Sequence, residues 1–239
     1  MKKNIIITTL FLSALFFSFS QEELISAKDL LQKLSINFKN EVKDFEAEIK
    51  WTQDKDVQKG IIFFKNPQKV RINFTEPSKQ VVCTNGYMLW VYIDYLNLIL
   101  KQEILQKEKT KTDDGKTQTI VNPILINPVG YDRFLSDYAI EYHETKTPAD
   151  YGDGSMVYKM RLLRWRSSKS GFNAIFLTIN ADNGFIRKVE GITAAYKRII
   201  LEIDNVKFNK DISDLTFNYE PPAHANTVEN FITNQEDGR

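Results

Sequence analysis

Few side chains in this 239-residue sequence could do covalent or metal chemistry. There are two histidines, His143 and His224, and one cysteine, Cys83. Carboxylate pairs include Glu22-Glu23 and Asp113-Asp114. A histidine can bind zinc or move a proton, but ligating histidines recur at spacings such as H-x-x-x-H, and these two lie far apart. His224 also sits in a Pro-rich terminal stretch. A lone cysteine forms no intrachain disulfide, and Cys83 falls in a predicted strand, where free cysteine usually packs as a small apolar residue. Both acidic pairs stand in polar, solvated stretches. No G-x-S-x-G elbow, P-loop or cysteine pair is present. The residues therefore give no catalytic set and no metal site, no cofactor is expected, and a glycan- or lipid-acting hydrolase is the weakest functional reading.

Charge excludes another class. The chain carries 32 basic and 31 acidic residues, so bulk attraction to nucleic acid or to an anionic bilayer cannot drive its function. The one basic cluster with an aromatic is Arg161-Leu-Leu-Arg-Trp-Arg166. At strand spacing it reads as a solvated sheet face, with a docking patch for an acidic partner as the alternative.

The chain opens Met1-Lys-Lys3, continues with an apolar run over Ile5–Phe17, and places Ser18 and Ser20 where a signal peptidase reads small residues. A cleaved signal peptide over 1–20 and a periplasmic protein follow as expectations. The apolar run is shorter than the ~20 residues that span a bilayer, and no cysteine marks a lipid-attachment box. The expectation for 21–239 is a single domain.

What the rest of the chain builds is a sheet. Composition is 42% hydrophobic and 12% aromatic, enough for a sizeable core. Ser26–Phe38 reads as a helix with Leu30, Leu31, Leu34 and Phe38 on one stripe and a capping arrangement of Ser26 with Asp29. Phe45, Ala47, Ile49 and Trp51 alternate with Glu46, Glu48 and Lys50, the period-2 mark of a strand with one buried face. Ile61–Phe64 is an apolar run ended before Pro67. Val70, Ile72 and Phe74 alternate with Arg71 and Asn73. Gln80–Thr84 and Leu89–Tyr92 are joined through Asn85-Gly86, a hairpin signal. Residues 106–118 read as an exposed hairpin tip or loop, Ile124–Ile126 as a short covering element between two prolines, and Tyr131–Tyr138 as a short helix. Four more strands follow over 156–208, with a hairpin at Asp182-Asn-Gly184. Phe217–Pro222 is expected to end the sheet, with loose residues beyond. An aromatic sheet with more apolar face than one helix can cover suggests a lined cavity for an apolar ligand.

Taken in order, these segments resemble a known family. Gly60…Phe64-Lys-Asn-Pro67, Val70-Arg-Ile72, Pro77…Gln80-Val-Val82, Asn85-Gly86 and Leu89-Trp-Val-Tyr92, with Asp182-Asn-Gly-Phe-Ile186 and Phe217…Pro221-Pro222, are similar to the LolA family of periplasmic lipoprotein carriers. The resemblance implies an α+β, mainly antiparallel fold: an incomplete β-barrel with an N-terminal helix and short helices covering its mouth. It implies acylated lipoproteins as cargo, taken by a monomer from an inner-membrane lipoprotein-releasing ABC transporter to an outer-membrane acceptor. It implies an acyl-chain lining of Val70, Ile72 and Phe74, to which Phe63, Leu89 and Trp90 are added, and a lid at Ile124, Leu125 and Ile126. Proteobacterial members carry, just before the proline of the K-x-P segment, an arginine that helps latch the lid. This sequence has Asn66 there. A second function fits the same fold, an envelope-stress sensor or scaffold that binds lipidated proteins or peptides.

Overall fold

The structure, a computed structural model, describes residues 25–103, 128–165 and 172–229. The expected signal peptide, the 106–118 segment and Ile124–Ile126 lie outside the described residues.

Helix α1 runs over Ala27–Glu41. It starts where the sequence supplies a cap: the Ser26 hydroxyl accepts from the Asp29 amide (3.1 Å), satisfying one of the helix's orphan donors. Six strands follow, β1 (Asp44–Gln53), β2 (Asp56–Lys65), β3 (Lys69–Glu76), β4 (Ser78–Thr84), β5 (Met88–Ile93) and β6 (Leu98–Glu103). Helix α2 spans Pro128–Asp137 and leads straight into β7 (Tyr138–Tyr142). Short β8 (Ala149–Asp150) precedes the long strands β9 (Met156–Arg164), β10 (Phe172–Asn180), β11 (Ile186–Thr193) and β12 (Arg198–Phe208). A 3-10 turn at Asp214–Phe217 and strand β13 (Asn226–Glu229) complete the described chain.

All thirteen strands form one sheet in the order β13-β6-β5-β4-β3-β2-β1-β12-β11-β10-β9-β7, with β8 beside β9. Every pair is antiparallel except β13 with β6. Among the described residues β13 and β7 do not meet, so the sheet is an open, incomplete barrel. β13 corrects the expectation that the sheet stops at Phe217–Pro222: the chain returns, and Asn226–Glu229 adds a parallel edge strand.

The inner face is the one the helices cover. α1 closes one end of the sheet. It reaches the end of β7 through Tyr142, whose hydroxyl donates to the Ile25 carbonyl (2.8 Å). It meets the β10–β11 turn through Asn37, which donates to the Asp182 carbonyl (3.2 Å). At that turn Gly184 has φ +70°, and a Cβ there would sit 2.0 Å from the Leu34 carbonyl oxygen, so glycine is required both by conformation and by space. Leu30, Leu31, Leu34 and Phe38 of α1 and Tyr131 and Phe134 of α2 pack against Phe45, Ile62, Phe64, Met160, Leu162, Leu177 and Leu201. The rings of Phe45 and Phe64 stack at 5.0 Å, and Phe185 meets Phe45 edge-on at 5.0 Å.

Candidate functional site

Paired residues across an antiparallel sheet point to the same side, so register decides which side chains can line a cavity. Phe64 pairs with Val70, Ile62 with Ile72 and Gly60 with Phe74. Ile62 and Phe64 are buried under the helices, so Val70, Ile72 and Phe74 lie on the inner face. The row continues with Val82 opposite Ile72 and Thr84 opposite Val70, Leu89 and Val91 opposite Thr84 and Val82, and Leu100 and Gln102 opposite Val91 and Leu89. Val70, Leu89, Thr84 and Gln102 are buried, whereas Ile72, Phe74, Val82, Val91 and Leu100 are only half-buried. Ile72 and Phe74 border the helix-packed core without being sealed by it. The inner face of β3–β6 is thus an apolar strip left partly open, with its polar members Thr84 and Gln102 grouped with Leu89 at one end.

Phe63 and Trp90, expected in the lining, fall on the other side. Phe63 pairs with Glu46 and Arg71, and Trp90 pairs with Cys83 and Lys101. Both stand on the outer face. Leu89 shares the inner face with Ile72; its neighbour Trp90 cannot, because successive residues of a strand alternate.

The outer face of these strands is covered by the chain that follows β12. Arg71 donates to the Thr216 carbonyl (3.0 Å), and its guanidinium lies 5.8 Å from the centre of the Tyr219 ring. Trp90 packs on Tyr219 at 6.5 Å. The Cys83 thiol, fully buried, points at the Phe217 carbonyl (3.5 Å), and burial pushes its pKa up to about 11. While it is covered, Cys83 packs as a small buried residue and is held in the thiol form. Asp214 sits between Lys65 (2.8 Å) and Lys69 (2.9 Å), and the hydrogen bonds they donate hold its carboxyl down at about 2.

Asn66, at the latch position, caps α1: its amide donates to the carbonyls of Lys39 (3.2 Å) and Val42 (3.5 Å). Tyr131 ties α2 to the β10–β11 turn: its buried hydroxyl donates to the Gly184 carbonyl, and burial pushes that hydroxyl's pKa well up. Nothing in the sequence around Tyr131 distinguishes it from an ordinary core aromatic.

His143 packs edge-on against Phe176 (5.1 Å), and the His224 carbonyl accepts from Asn97 (3.0 Å). Arg161 pairs with Glu141, while Leu162 is fully buried on the inner face. Among the described residues no three His, Cys, Asp or Glu side chains cluster as metal ligands. A cleft of about 630 Å³ is lined by Tyr151, Asp153, Asn180, Arg187, Asp204 and Phe208 among others. Its Arg187 stacks on Tyr151 at 4.4 Å and pairs with Asp153 (2.9 Å) and Asp204 (3.3 Å), tying the 151–155 loop to β11 and β12.

The open, mainly antiparallel sheet with its N-terminal helix is a fold that known proteins share. Residues 29–147 match the family model described as outer membrane lipoprotein carrier protein LolA. The chain is LolA-like. An outer-membrane lipoprotein carrier protein from Coxiella burnetii is 23% identical over 221 residues, covering 89% of this chain and 93% of that one. Among solved structures, an uncharacterised conserved protein from Thermus thermophilus superposes with a TM-score of 0.54 at 11% identity, covering 85% of this chain and 98% of that one. The MucA/MucB complex of Pseudomonas aeruginosa gives 0.52 at 10% identity, over 84% of this chain and 63% of that one. These two likenesses are of fold. Among the described residues of this LolA-like chain, no helix is long and apolar enough to cross a membrane.

Proposed function

We propose that this protein is a periplasmic carrier that shelters the acyl chains of lipoproteins on the inner face of β3–β6 and moves them from the inner to the outer membrane. It binds and does not catalyse. One observation carries the reading: Val70, Ile72, Phe74, Val82, Leu89, Val91 and Leu100 share one side of four adjacent strands, and five of them remain half-exposed. Each methylene moved from water to such a surface gains about 0.8 kcal/mol, so an acyl chain of a dozen or more carbons can be held there through an aqueous compartment. The LolA-like sequence of the segment that builds these strands, and the Coxiella carrier's similarity over most of its length, support the same reading. Its partners are acylated lipoproteins, an inner-membrane lipoprotein-releasing ABC transporter and an outer-membrane acceptor. The leader over 1–20 delivers it to the periplasm by cleavage after Ser20, and residues 21–239 act as one domain.

The fold likeness to MucB, solved in complex with MucA, supports a second reading, a sensor or scaffold that holds a protein partner. Native mass spectrometry of the protein purified from an envelope fraction separates the two. Co-purified acylated protein that disappears on Ile72→Glu supports the carrier. A stable partner without lipid supports the sensor. Depletion of the protein should then strand lipoproteins in the inner membrane.

A further inference from the structure

The segment after β12 lies on the back of the strands that carry the apolar strip. Arg71 stands between Val70 and Ile72, Cys83 between Val82 and Thr84, and Trp90 between Leu89 and Val91. The side chains that hold this segment thus alternate one for one with those that line the strip. Its hold has two buried anchors, the Phe217 ring and the Asp44 carboxylate that accepts from the Lys210 amide (2.7 Å), and is otherwise polar and at the rim. Asp214, bridging Lys65 and Lys69, is 63% exposed; Lys65 also donates to the Ile212 carbonyl (2.8 Å), and Arg71 to that of Thr216. Beyond it, β13 adds only four exposed residues to β6, with Glu229 paired to Lys101 (2.9 Å).

We propose that residues 210–229 form a clasp that opens as a unit without global unfolding and that, when closed, fixes the spacing of β3–β6. Opening uncovers Cys83 and frees these strands to spread. On the carrier reading, on which this last step rests, filling the strip with acyl chains pushes the strands apart and favours the open clasp, so occupancy of the inner face is reported on the outer one.

Cys83 is the chain's single thiol and serves as the probe. The full chain is treated with N-ethylmaleimide in native buffer, labelling is followed by intact mass, and global unfolding is measured separately. Wild type is labelled slowly but faster than global unfolding allows. Asp214→Asn, an exposed change, raises the rate about tenfold by favouring local opening, with the far-ultraviolet circular dichroism unchanged. Arg71→Lys does the same through a different contact. Lys39→Ala, which removes the exposed Lys39–Asp132 pair elsewhere, leaves the rate alone. Labelling limited to the global unfolding rate, and unmoved by Asp214→Asn and Arg71→Lys, would overturn the clasp. A triacylated lipopeptide is then added, with binding read by native mass. Binding with several-fold faster labelling supports the coupling, and binding without it overturns the coupling. Absence of binding rejects the carrier reading and the coupling together, while the variants alone still decide the clasp.

Discussion

The two halves of this sheet are inverted relative to one another. In β1, β2 and β9–β12 the inner face is sealed by α1 and α2, and Phe45, Ile62, Phe64, Met160 and Leu162 are fully buried. Their outer face is a solvated lattice of ion pairs, with Glu202 between Lys50 (3.2 Å) and Lys188 (3.3 Å) and Arg198 on Glu190 (2.7 Å). In β3–β6 it is the outer face that is covered, by the clasp over Cys83 and Trp90, and the inner face that stays half-open. One half spends its apolar face on its own stability; the other buries its back and keeps its front for something else. The difference predicts that substitutions on one inner face cost stability and on the other cost ligand.

The largest effect is expected in the sealed half. Phe45→Ala removes a fully buried ring that touches Phe64, Phe185 and Phe208, and thermal or urea unfolding should show a loss of about 3–5 kcal/mol. Gly184→Ala comes next, at about 2 kcal/mol or more, because a side chain must adopt a positive φ and displace the α1 backbone. Ile72→Ala, on the half-open strip, should cost only about 1 kcal/mol; a cost equal to that of Phe45→Ala would erase the contrast between the halves. Breaking the exposed Lys50–Glu202 pair by Lys50→Ala should cost less than about 1 kcal/mol.

Acid sharpens the comparison further. The folded pKa of Asp214 is held at about 2, below the ordinary carboxylate value near 4. Its contribution is therefore complete above the unfolded pKa and disappears as pH falls from about 4 towards 2. Acid unfolding followed on wild type and Asp214→Asn should show a shallower decline in the variant across that window. Asp153, held at about 2 by hydrogen bonds from Ser155 and then Arg187, titrates in the same window but is common to both proteins, so the difference isolates the clasp.

The legibility of the sequence follows the same division. Strand β1 alternates cleanly because its outer face meets water, and β3 alternates because Arg71 and Asn73 interrupt Val70, Ile72 and Phe74. Ile61–Phe64 and Leu89–Tyr92 are unbroken apolar runs without a period-2 signal, the second because the segment after β12 covers its outer face too; neither run says which of its members face inward, hence the wrong side for Phe63 and Trp90. The α1 cap, Cys83 in a buried strand and Gly184 in a hairpin could be read locally. The clasp could not: Asp214, Phe217 and Tyr219 find their partners more than a hundred residues away, and Asn-Thr-Val-Glu229 has no apolar pattern to announce a parallel edge strand. Asn66 was recognisable as a replaced arginine, but its role as a cap on α1 depends on a turn and a helix end meeting in space.

The central claim is that the inner side of β3–β6, and not the outer, receives acyl chains. The direct measurement is equilibrium binding of a triacylated lipopeptide to wild type, Ile72→Glu and Phe63→Glu, two substitutions of the same chemistry on opposite faces. Saturable binding to wild type, weakened at least about tenfold by a charge buried against the acyl chain in Ile72→Glu and retained in Phe63→Glu, is the predicted result. Equal binding by wild type and Ile72→Glu, or loss confined to Phe63→Glu, would contradict it.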